Sequence, residues 1–304
     1  LRSALRQPGY SYANIPYRIA PYAALRRDPH HTIAFDAALH RATTDRAARA
    51  GADARLLTAP GGAVLHASLT EKLLVLVLGR LTNFVPGGGI WMNTQRPEWN
   101  DANNALVGYG VSVVTLCHLR RLLHHAQRHL WPALGHGEIA IASPIARLAR
   151  EVQAAFAQHR AALALPAFTD VTRRTLLDAL ATAGSSYRED IYRTPARLAA
   201  AEPVAPATLV ALFDLALAFI DHSLRANLRA DGLFHTYHQL EFAEEPAALR
   251  LHPLQLMLEG QVAVLGSDLL TPAEAVKLLS ALRRSVLYRP DQHSYLLYPD
   301  RVLP

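Results

Sequence analysis

The chain of 304 residues has one cysteine, two lysines and no long apolar run, and the scarcity of cysteine and of apolar runs excludes particular structures. Because Cys117 has no second thiol to pair with, neither an internal disulfide nor a structural zinc site of several thiolates forms within the chain. A membrane span needs about 20 apolar residues, and the nearest run, residues 209–220, is interrupted by Asp214. We therefore predict a soluble protein without a membrane partner and expect it in the cytoplasm.

The formal net charge is +6 and the sequence pI is about 9.7, a balance that often indicates a nucleic-acid partner. Here nearly all of the positive charge is arginine, spread along the chain among alanines and leucines. No zinc finger, RNA-recognition aromatic pair or basic arm accompanies it, so no nucleic-acid partner is predicted. The sequence also lacks a Gly-Lys-Ser/Thr phosphate loop and a Gly-x-Ser-x-Gly elbow, which argues against a nucleotide hydrolase or a serine esterase.

Apolar periodicity and capping signals predict about eight helices with few strands between them. The predicted helices cover residues 32–50, 69–83, 102–130, 143–163, 170–183, 206–230, 253–265 and 272–285. Long loops rich in Tyr, His, Arg, Asp and Glu lie between or after them, at residues 184–194, 231–251 and 288–304. Loops of this kind in a helical domain are often functional. We predict one all-α domain over residues 1–304, a toroid of helical hairpins with the loops over one end, with a plain helix bundle as the alternative.

The segment 93–104, Asn-Thr-Gln-Arg-Pro-Glu-Trp-Asn-Asp-Ala-Asn-Asn, concentrates carboxylates, carboxamides, a guanidinium and an indole. Proteins bind sugars through hydrogen bonds from such side chains to adjacent hydroxyls and through an aromatic ring against the apolar face of the sugar. Because a turn alone does not require this density of polar groups, we predict a carbohydrate site here. The predicted substrate contacts in and just before the segment are Trp91, Gln95, Arg96, Trp99, Asn100, Asn103 and Asn104.

Cleavage of a glycosidic bond requires a protonated carboxyl group beside the leaving oxygen, and Glu98 and Asp101 are the two candidates. Asp101 stands at the predicted start of the helix 102–130, where its alternative role is to cap the helix, and the helix dipole would favour its charged form. Glu98 lies between Pro97 and Trp99, where an apolar neighbour would raise its pKa into the range of an acid. The spacing lacks the alternation of a calcium loop, so no metal is predicted.

An inverting hydrolase also needs a general base, held roughly 6.5 to 9.5 Å from the acid so that a water molecule fits between them. The candidates for this role are Glu189, Asp190, Asp231, Glu241 and Glu259, of which Glu189 and Glu259 are preferred. The alternative for Glu189 is a local ion pair in a solvated loop, and the alternative for Glu259 is the solvent-facing position of an apolar helix. If the enzyme is a phosphorylase, inorganic phosphate is the co-substrate and replaces the base. No other cofactor is predicted.

Polar and aromatic residues of the long loops are predicted to contact the same substrate, with ordinary loop packing as the alternative for each. These residues are Arg188, His235, Tyr237, His238 and Asp291. In a phosphorylase, Arg188 or one of the two histidines would hold the phosphate, because arginine and protonated histidine form strong hydrogen bonds to oxyanions.

The tripeptide Trp99-Asn100-Asp101 resembles the Trp-Asn-Asp motif of the cellobiose phosphorylase group, within the six-hairpin glycosidase superfamily. The resemblance implies an (α/α)6-toroid-like catalytic domain and gives Asp101 the role of general acid. Residues 96–108, 257–264 and 288–304 are also similar to large bacterial proteins described as cellobiose-phosphorylase-like. This similarity implies that the chain is a section of a longer protein, with an incomplete toroid and with the other domains as partners.

These observations together predict a carbohydrate-active enzyme that binds an oligosaccharide or polysaccharide. We expect it to cleave a glycosidic bond of a glucan-type oligosaccharide with inversion, by hydrolysis or phosphorolysis. The alternative is a non-catalytic carbohydrate-binding or structural section of a larger protein. A helical scaffold for protein partners is a third hypothesis, and it would need an exposed apolar patch and no deep cleft.

Overall fold

The computed structural model describes residues 1–30, 32–93, 106 and 108–300. The α-helices of this part, numbered along the chain, are α1 (Arg2–Arg6), α2 (Tyr22–Arg27), α3 (Ala37–Ala50), α4 (Leu69–Leu81), α5 (Val113–His125), α6 (Trp131–Leu134), α7 (Ser143–Gln158), α8 (Asp170–Arg193), α9 (Pro206–Ala226), α10 (Leu258–Leu265) and α11 (Pro272–Arg284). The strands are β1 (Tyr10–Ser11), β2 (Tyr17–Ile19), β3 (Ile33–Phe35), β4 (His66–Ala67), β5 (Ile90–Trp91), β6 (Gly110–Ser112), β7 (Ile139–Ala142), β8 (Ala201–Val204), β9 (Tyr237–Glu244), β10 (Ala247–Pro253), β11 (Tyr288–Arg289) and β12 (Ser294–Tyr295).

The prediction of an all-α, (α/α)6-toroid-like fold is wrong, because strands make up 17% of the structure and form five small sheets. The largest is a four-stranded antiparallel sheet in the order β10-β9-β6-β5. Its hairpin β9–β10 occupies the segment predicted as the loop 231–251. In β9, buried Leu240 alternates with exposed Gln239 and Glu241, which is the period-two pattern of a half-buried strand. The polar composition of the segment concealed this alternation.

Helix α8 continues through the segment predicted as the loop 184–194. Gly184, predicted as the start of that loop, instead lies where α8 crosses α4, and a Cβ atom at this position would lie 2.7 Å from Cβ of Thr82. The glycine therefore permits two helices to approach closely and does not end the helix. Because residues three and four positions apart share a helix face, Tyr187 and Arg188 lie on the same side of α8 as Gly184.

Helix α5 begins at Val113 and not near residue 102, and strand β6 precedes it directly. Ser112 caps this helix, since its Oγ accepts a hydrogen bond from the backbone N–H of Thr115 at 3.0 Å. Asp101, for which capping the predicted helix 102–130 is the alternative role, lies outside the described residues.

Two apolar clusters meet between the helices and the sheet. In the larger one, α7 packs against α4, α8 and α9, and Phe156 contacts both Phe84 and Phe219. In the smaller one, the four-stranded sheet packs on α8, with Trp91 at its centre. Among the described helices, α9 alone is long and apolar enough to cross a membrane by length and composition, and half of its apolar window is buried here. Its apolar character is accounted for by the core positions that it fills.

Three tight turns in the described chain share one backbone hydrogen-bond pattern. After α4, the N–H of Val85 donates to the carbonyl of Gly89 at 2.8 Å, and the N–H of Gly88 donates back to Val85 at 3.0 Å. After α9, Arg229 makes the same pair of bonds with Leu233 and Gly232, at 2.8 and 3.1 Å. The turn at residues 59–63 repeats the pattern. The turns after α4 and α9 lead directly into β5 and towards β9, so similar helix–turn–strand units flank the central strand β6.

The carboxamide of Asn227 connects these two units. Asn227 is 1% exposed, and its Nδ2 donates to the carbonyls of Ser223 in its own helix (2.8 Å) and Gly88 in the other turn (3.0 Å). The Oγ of Ser223 accepts from the N–H of Gly87 at 2.9 Å, and Nε of Arg173 donates to the carbonyl of Pro86 at 2.7 Å. Side chains at α8 and at the end of α9 thus form hydrogen bonds with the backbone of the glycine-rich turn 86–89. These polar side chains therefore have a structural role.

The contact between α4 and α8 predicts opposite effects for two glycine-to-alanine substitutions. Gly184→Ala places a methyl group against Thr82 and should lower the free energy of unfolding by about 1–3 kcal/mol, the usual cost of overpacking. Gly79→Ala, in α4, meets no atom within 4 Å and should raise stability by up to about 1 kcal/mol through helix propensity. Urea unfolding followed by circular dichroism measures both, and equal stabilities would contradict the assigned contact.

Candidate functional site

A cavity of about 330 Å³ lies between α4, the first turn of α5, α8 and strand β5, where the two apolar clusters meet. This volume is at the lower end of the range for small-molecule sites. One wall is apolar and includes Val75, Ile90 and Leu148. The polar side chains in its lining are those of Arg80, Thr82, Asn83, Asn93, Thr115, Tyr187 and Arg188, with the indole of Trp91 beside them. The mixture of an apolar wall and a few hydrogen-bonding groups is typical of a site that orients a small polar ligand.

The described lining carries positive charge without a compensating carboxylate. Arg80 and Arg188 are the charged residues among those that line the cavity. Nε of Arg188 is fully buried and has no hydrogen-bond partner, and burial lowers the pKa of the guanidinium below its usual value. Arg80 is exposed at the rim. The cavity therefore favours ligands that accept hydrogen bonds or carry negative charge.

The segment 93–104, predicted to bind sugar, has its first residue in this cavity, and Leu106, two residues after it, lies near the lining residue Met92. Asn93 lines the cavity, is 6% exposed, and donates from Nδ2 to Oδ1 of Asn83 at 2.6 Å. Beyond the other end, the backbone carbonyl of Leu106 accepts from the N–H of Tyr109 at 2.8 Å, and Leu106 lies close to Gly110 beside Met92. The predicted site residues Gln95, Arg96, Glu98, Trp99, Asn100, Asp101, Asn103 and Asn104 lie outside the described residues.

Trp91 was predicted as a second stacking platform, and the structure places it in the smaller apolar cluster. Its side chain is 2% exposed and makes edge contacts with Tyr22 and Phe242, at ring-centroid distances of 6.3 and 5.5 Å. Its Nε1 donates to the carbonyl of Gly108 at 2.7 Å. In this position the indole supports the cavity wall, and contact between its ring face and a sugar would require this packing to open.

Helix α8 places Arg188, Glu189 and Asp190, which were predicted to lie in one loop, in three different surroundings. Arg188 lies in the cavity lining, whereas Glu189 accepts a hydrogen bond from Ser185 at 3.2 Å and borders a different depression beside Tyr192. Asp190 is buried and paired with two arginines, Arg147 at 2.9 Å and Arg197 at 2.5 Å. Arg188 is thus the residue of this trio that lines the cavity, and the predicted base Glu189 faces away from it.

Tyr237 and the other predicted base, Glu259, are brought together by the structure. The hydroxyl of Tyr237 donates to Oε2 of Glu259 at 2.9 Å, and Tyr237 is fully buried in β9. Glu259 lies in the first turn of the short helix α10 and is half-buried. Neither residue appears among those that line the cavity. The pair occupies the far side of strand β6 from Ile90 in the sheet.

His238 has a structural position next to Asn227. Burial lowers the pKa of His238 to about 3, with smaller contributions from His235 and Arg173, so the imidazole is neutral at pH 7. Its Nε2 lies 2.6 Å from Oδ1 of Asn227. Because Nδ2 of Asn227 donates to two carbonyls, Oδ1 is the acceptor, and Nε2 of His238 carries the hydrogen. The rings of His235 and His238 are 5.4 Å apart.

Asp291 lies apart from the residues that line the cavity. It is exposed in the turn of the hairpin β11–β12 and pairs with Arg289 at 2.9 Å. The hydrogen bonds from Arg289 hold the pKa of Asp291 below the usual aspartate value. Its predicted contact with substrate stays a prediction.

The polar lining residues absent from the sequence-based prediction are Arg80, Thr82, Asn83, Thr115 and Tyr187. Tyr187 would have been found from its spacing to Gly184 if α8 had been extended, since the two positions share a helix face. Asn83 follows the last turn of α4, and its Nδ2 donates to the carbonyl of Gly79 at 3.0 Å. The equivalent bond from Asn227 to Ser223 shows that both asparagines close a helix.

Comparisons with known proteins indicate no function, so the cavity is the basis for a functional proposal. No family model matches the chain, and a search of curated proteins gives no match. Within the described ranges, no group of three or more His, Cys, Asp or Glu side chains is arranged to hold a metal ion.

The ion pairs of Asp190 predict a pH-dependent contribution to stability. Burial opposes ionisation of Asp190, but hydrogen bonds and charges from Arg147 and Arg197 outweigh it and hold its pKa below the ordinary value of 3.8. A carboxylate with a depressed pKa stabilises the fold above that ordinary value, and the contribution is lost as the pH falls through the folded-state pKa. Asp190→Asn should therefore cost about 1.5–3 kcal/mol at pH 7, where hydrogen bonds to a charged group are lost.

The cost of Asp190→Asn should shrink between pH 5 and pH 2, measured as the difference in urea unfolding free energy from the parent protein. Asp291→Asn, in an exposed pair, is the control and should change stability little at any pH. A cost for Asp190→Asn that stays constant down to pH 2 would contradict the assigned ion pairs.

Proposed function

We propose that the cavity, together with the segment 93–104 whose first residue lines it, is a carbohydrate-binding site for a glucan-type oligosaccharide. The observation that carries this proposal is the convergence of the cavity with the sugar-binding composition of that segment. Asn93 belongs to both, because it lines the cavity and opens the segment. Neither the composition of the segment nor the cavity would support the proposal as strongly alone.

The lining suits a sugar in its chemistry. Guanidinium and carboxamide groups donate hydrogen bonds to hydroxyl oxygens, and the apolar wall of Val75, Ile90 and Leu148 accommodates the C–H face of a ring. The hydrogen bond between Asn93 and Asn83 orients both carboxamides, which reduces the entropy lost when a ligand binds.

Cleavage of a glycosidic bond with inversion is the second candidate function, by hydrolysis or with inorganic phosphate as co-substrate. It is favoured by the two carboxylates of the segment, of which Glu98 or Asp101 would serve as the general acid. The described lining contributes no carboxylate as a base, so hydrolysis would require one from another part of the site, whereas phosphorolysis would not. Non-catalytic binding is the alternative that this absence of a lining carboxylate favours.

Filling the cavity tests the binding proposal. Gly79 is an exposed lining residue of α4 with no atom within 4 Å of an added Cβ, so we expect Gly79→Trp to fold and to place its ring in the ligand volume. We expect at least about a tenfold loss of affinity for cello- or malto-oligosaccharides by calorimetry, equivalent to about 1.4 kcal/mol. Val276→Trp, at an exposed position of α11, is the matched control and should leave affinity unchanged.

The same panel, incubated with and without phosphate, tests cleavage. Glu98→Gln and Asp101→Asn should both retain binding, and the variant that removes the acid should lower turnover by about 10²–10⁴-fold. Binding without turnover in the parent protein would leave the non-catalytic function. Absence of binding to every oligosaccharide, or full affinity in Gly79→Trp, would contradict the proposed site.

A further inference from the structure

We infer that the cavity selects an acidic sugar, whose carboxylate pairs with the guanidinium of Arg188. The inference rests on the proposed carbohydrate-binding function and names the class of its ligand. It follows from the lack of a partner for Arg188 among the described residues, from the charge of the described lining and from the geometry of the donors.

Among the described residues, Arg188 has no hydrogen-bond or ion-pair partner, whereas two comparable arginines do. No hydrogen bond or ion pair joins Arg188 to any residue in the described ranges, and its Nε has no access to solvent. By contrast, the buried Arg120 pairs with Asp221 at 2.6 Å and the buried Arg174 pairs with Asp178 at 2.9 Å. Burying a charged donor without a partner costs free energy. Because Arg188 lines the cavity, an acceptor that enters the cavity would give this guanidinium a partner.

The charge of the described lining residues adds to this preference for an anion. Glu189 is adjacent in sequence and its negative charge acts to raise the pKa of Arg188, but its carboxylate accepts a hydrogen bond from Ser185 and borders the other depression. Arg80, at the rim, is also positive. A neutral sugar hydroxyl would satisfy one N–H of Arg188, whereas a carboxylate would form two parallel charge-assisted bonds, which are about twice as strong as neutral ones.

A carboxylate fits these donors better than a phosphate does. Phosphate carries nearly two negative charges at pH 7 and is usually held by several donors, often at an open helix N-terminus. At this cavity, the N-terminal turn of α5 is already capped, since Ser112 accepts the N–H of Thr115. One half-buried guanidinium matches a single carboxylate, because its planar fork matches that planar group. The apolar wall beside it suits the ring of a uronic acid.

The test compares a matched pair of ligands: cellotriose and its C6-oxidised counterpart, the β-1,4-linked glucuronate trimer. The glucuronate trimer should bind at least about tenfold more tightly by calorimetry at low salt, equivalent to about 1.4 kcal/mol. Arg188→Gln should abolish the preference, and Arg188→Lys should retain part of it because the charge remains but the planar fork is lost. Arg193→Gln, at an exposed position near the end of the same helix, is the control and should keep the full preference.

Stability gives a second readout that separates ligand binding from a structural role. An arginine that supports the fold destabilises it when replaced, whereas removal of an unpaired, partly buried charge should leave the melting temperature unchanged or raise it. We therefore expect Arg188→Gln to melt at or above the temperature of the parent protein while losing the preference for the glucuronate trimer. A melting temperature lowered by several degrees would overturn the inference, because Arg188 would then be a structural residue.

The outcomes distinguish the inference from the proposed function. Equal binding of the two trimers, unchanged in Arg188→Gln, would overturn the acidic-sugar assignment and leave the carbohydrate site in place. Inorganic phosphate that displaces the glucuronate trimer at equal or lower concentration would also overturn it, in favour of a phosphate site. Failure of both trimers and of neutral malto-oligosaccharides to bind would overturn the inference together with the proposed function.

Discussion

The hydrogen bonds of Asn227 are the constraint on which the arrangement of this fold depends. This one buried carboxamide donates hydrogen bonds to the last turn of α9 and to the glycine-rich turn that follows α4. It also accepts a hydrogen bond from the imidazole of His238 in the sheet. Because that turn leads into β5, the same bonds fix the position of Ile90 and Trp91, and with them one side of the cavity. The carboxamide is fully enclosed, so each of its partners would be left unsatisfied in its absence.

The cavity results from two features of packing and not from a loop. Gly184 lets α8 approach α4 closely, and the helical spacing that follows places Tyr187 and Arg188 on the side that faces the opening. On the opposite side, strand β5 leads to Asn93, the first residue of the segment predicted to bind sugar. A site built on helices and a strand holds its groups more rigidly than a site built on loops. Because these elements are rigid, we expect Arg188 to keep its position in the cavity lining when no ligand is bound.

Local signals in the sequence predicted some elements well. Helix α4 begins at Leu69 behind Ser68, and α11 begins behind the capping box of Thr271 and Glu274, as predicted. The errors arose where tertiary contacts decide the structure. The hairpin β9–β10 has the alternation of a strand within a polar composition, and Gly184 is required by a contact with Thr82 that is remote in sequence. Arg188 was predicted to bind substrate, but its place in the cavity depends on the extension of α8, which propensity alone did not indicate.

The central claim is that an oligosaccharide binds between α4 and α8 at the end of β5. Hydrogen–deuterium exchange of the protein with and without the glucuronate and neutral trimers measures this location directly. We predict slower exchange for the amides of residues 75–93 and 184–188 in the presence of a bound trimer, and no change for the exposed face of α11. Protection confined to a distant surface, such as the helical face at residues 118–129, would contradict the account.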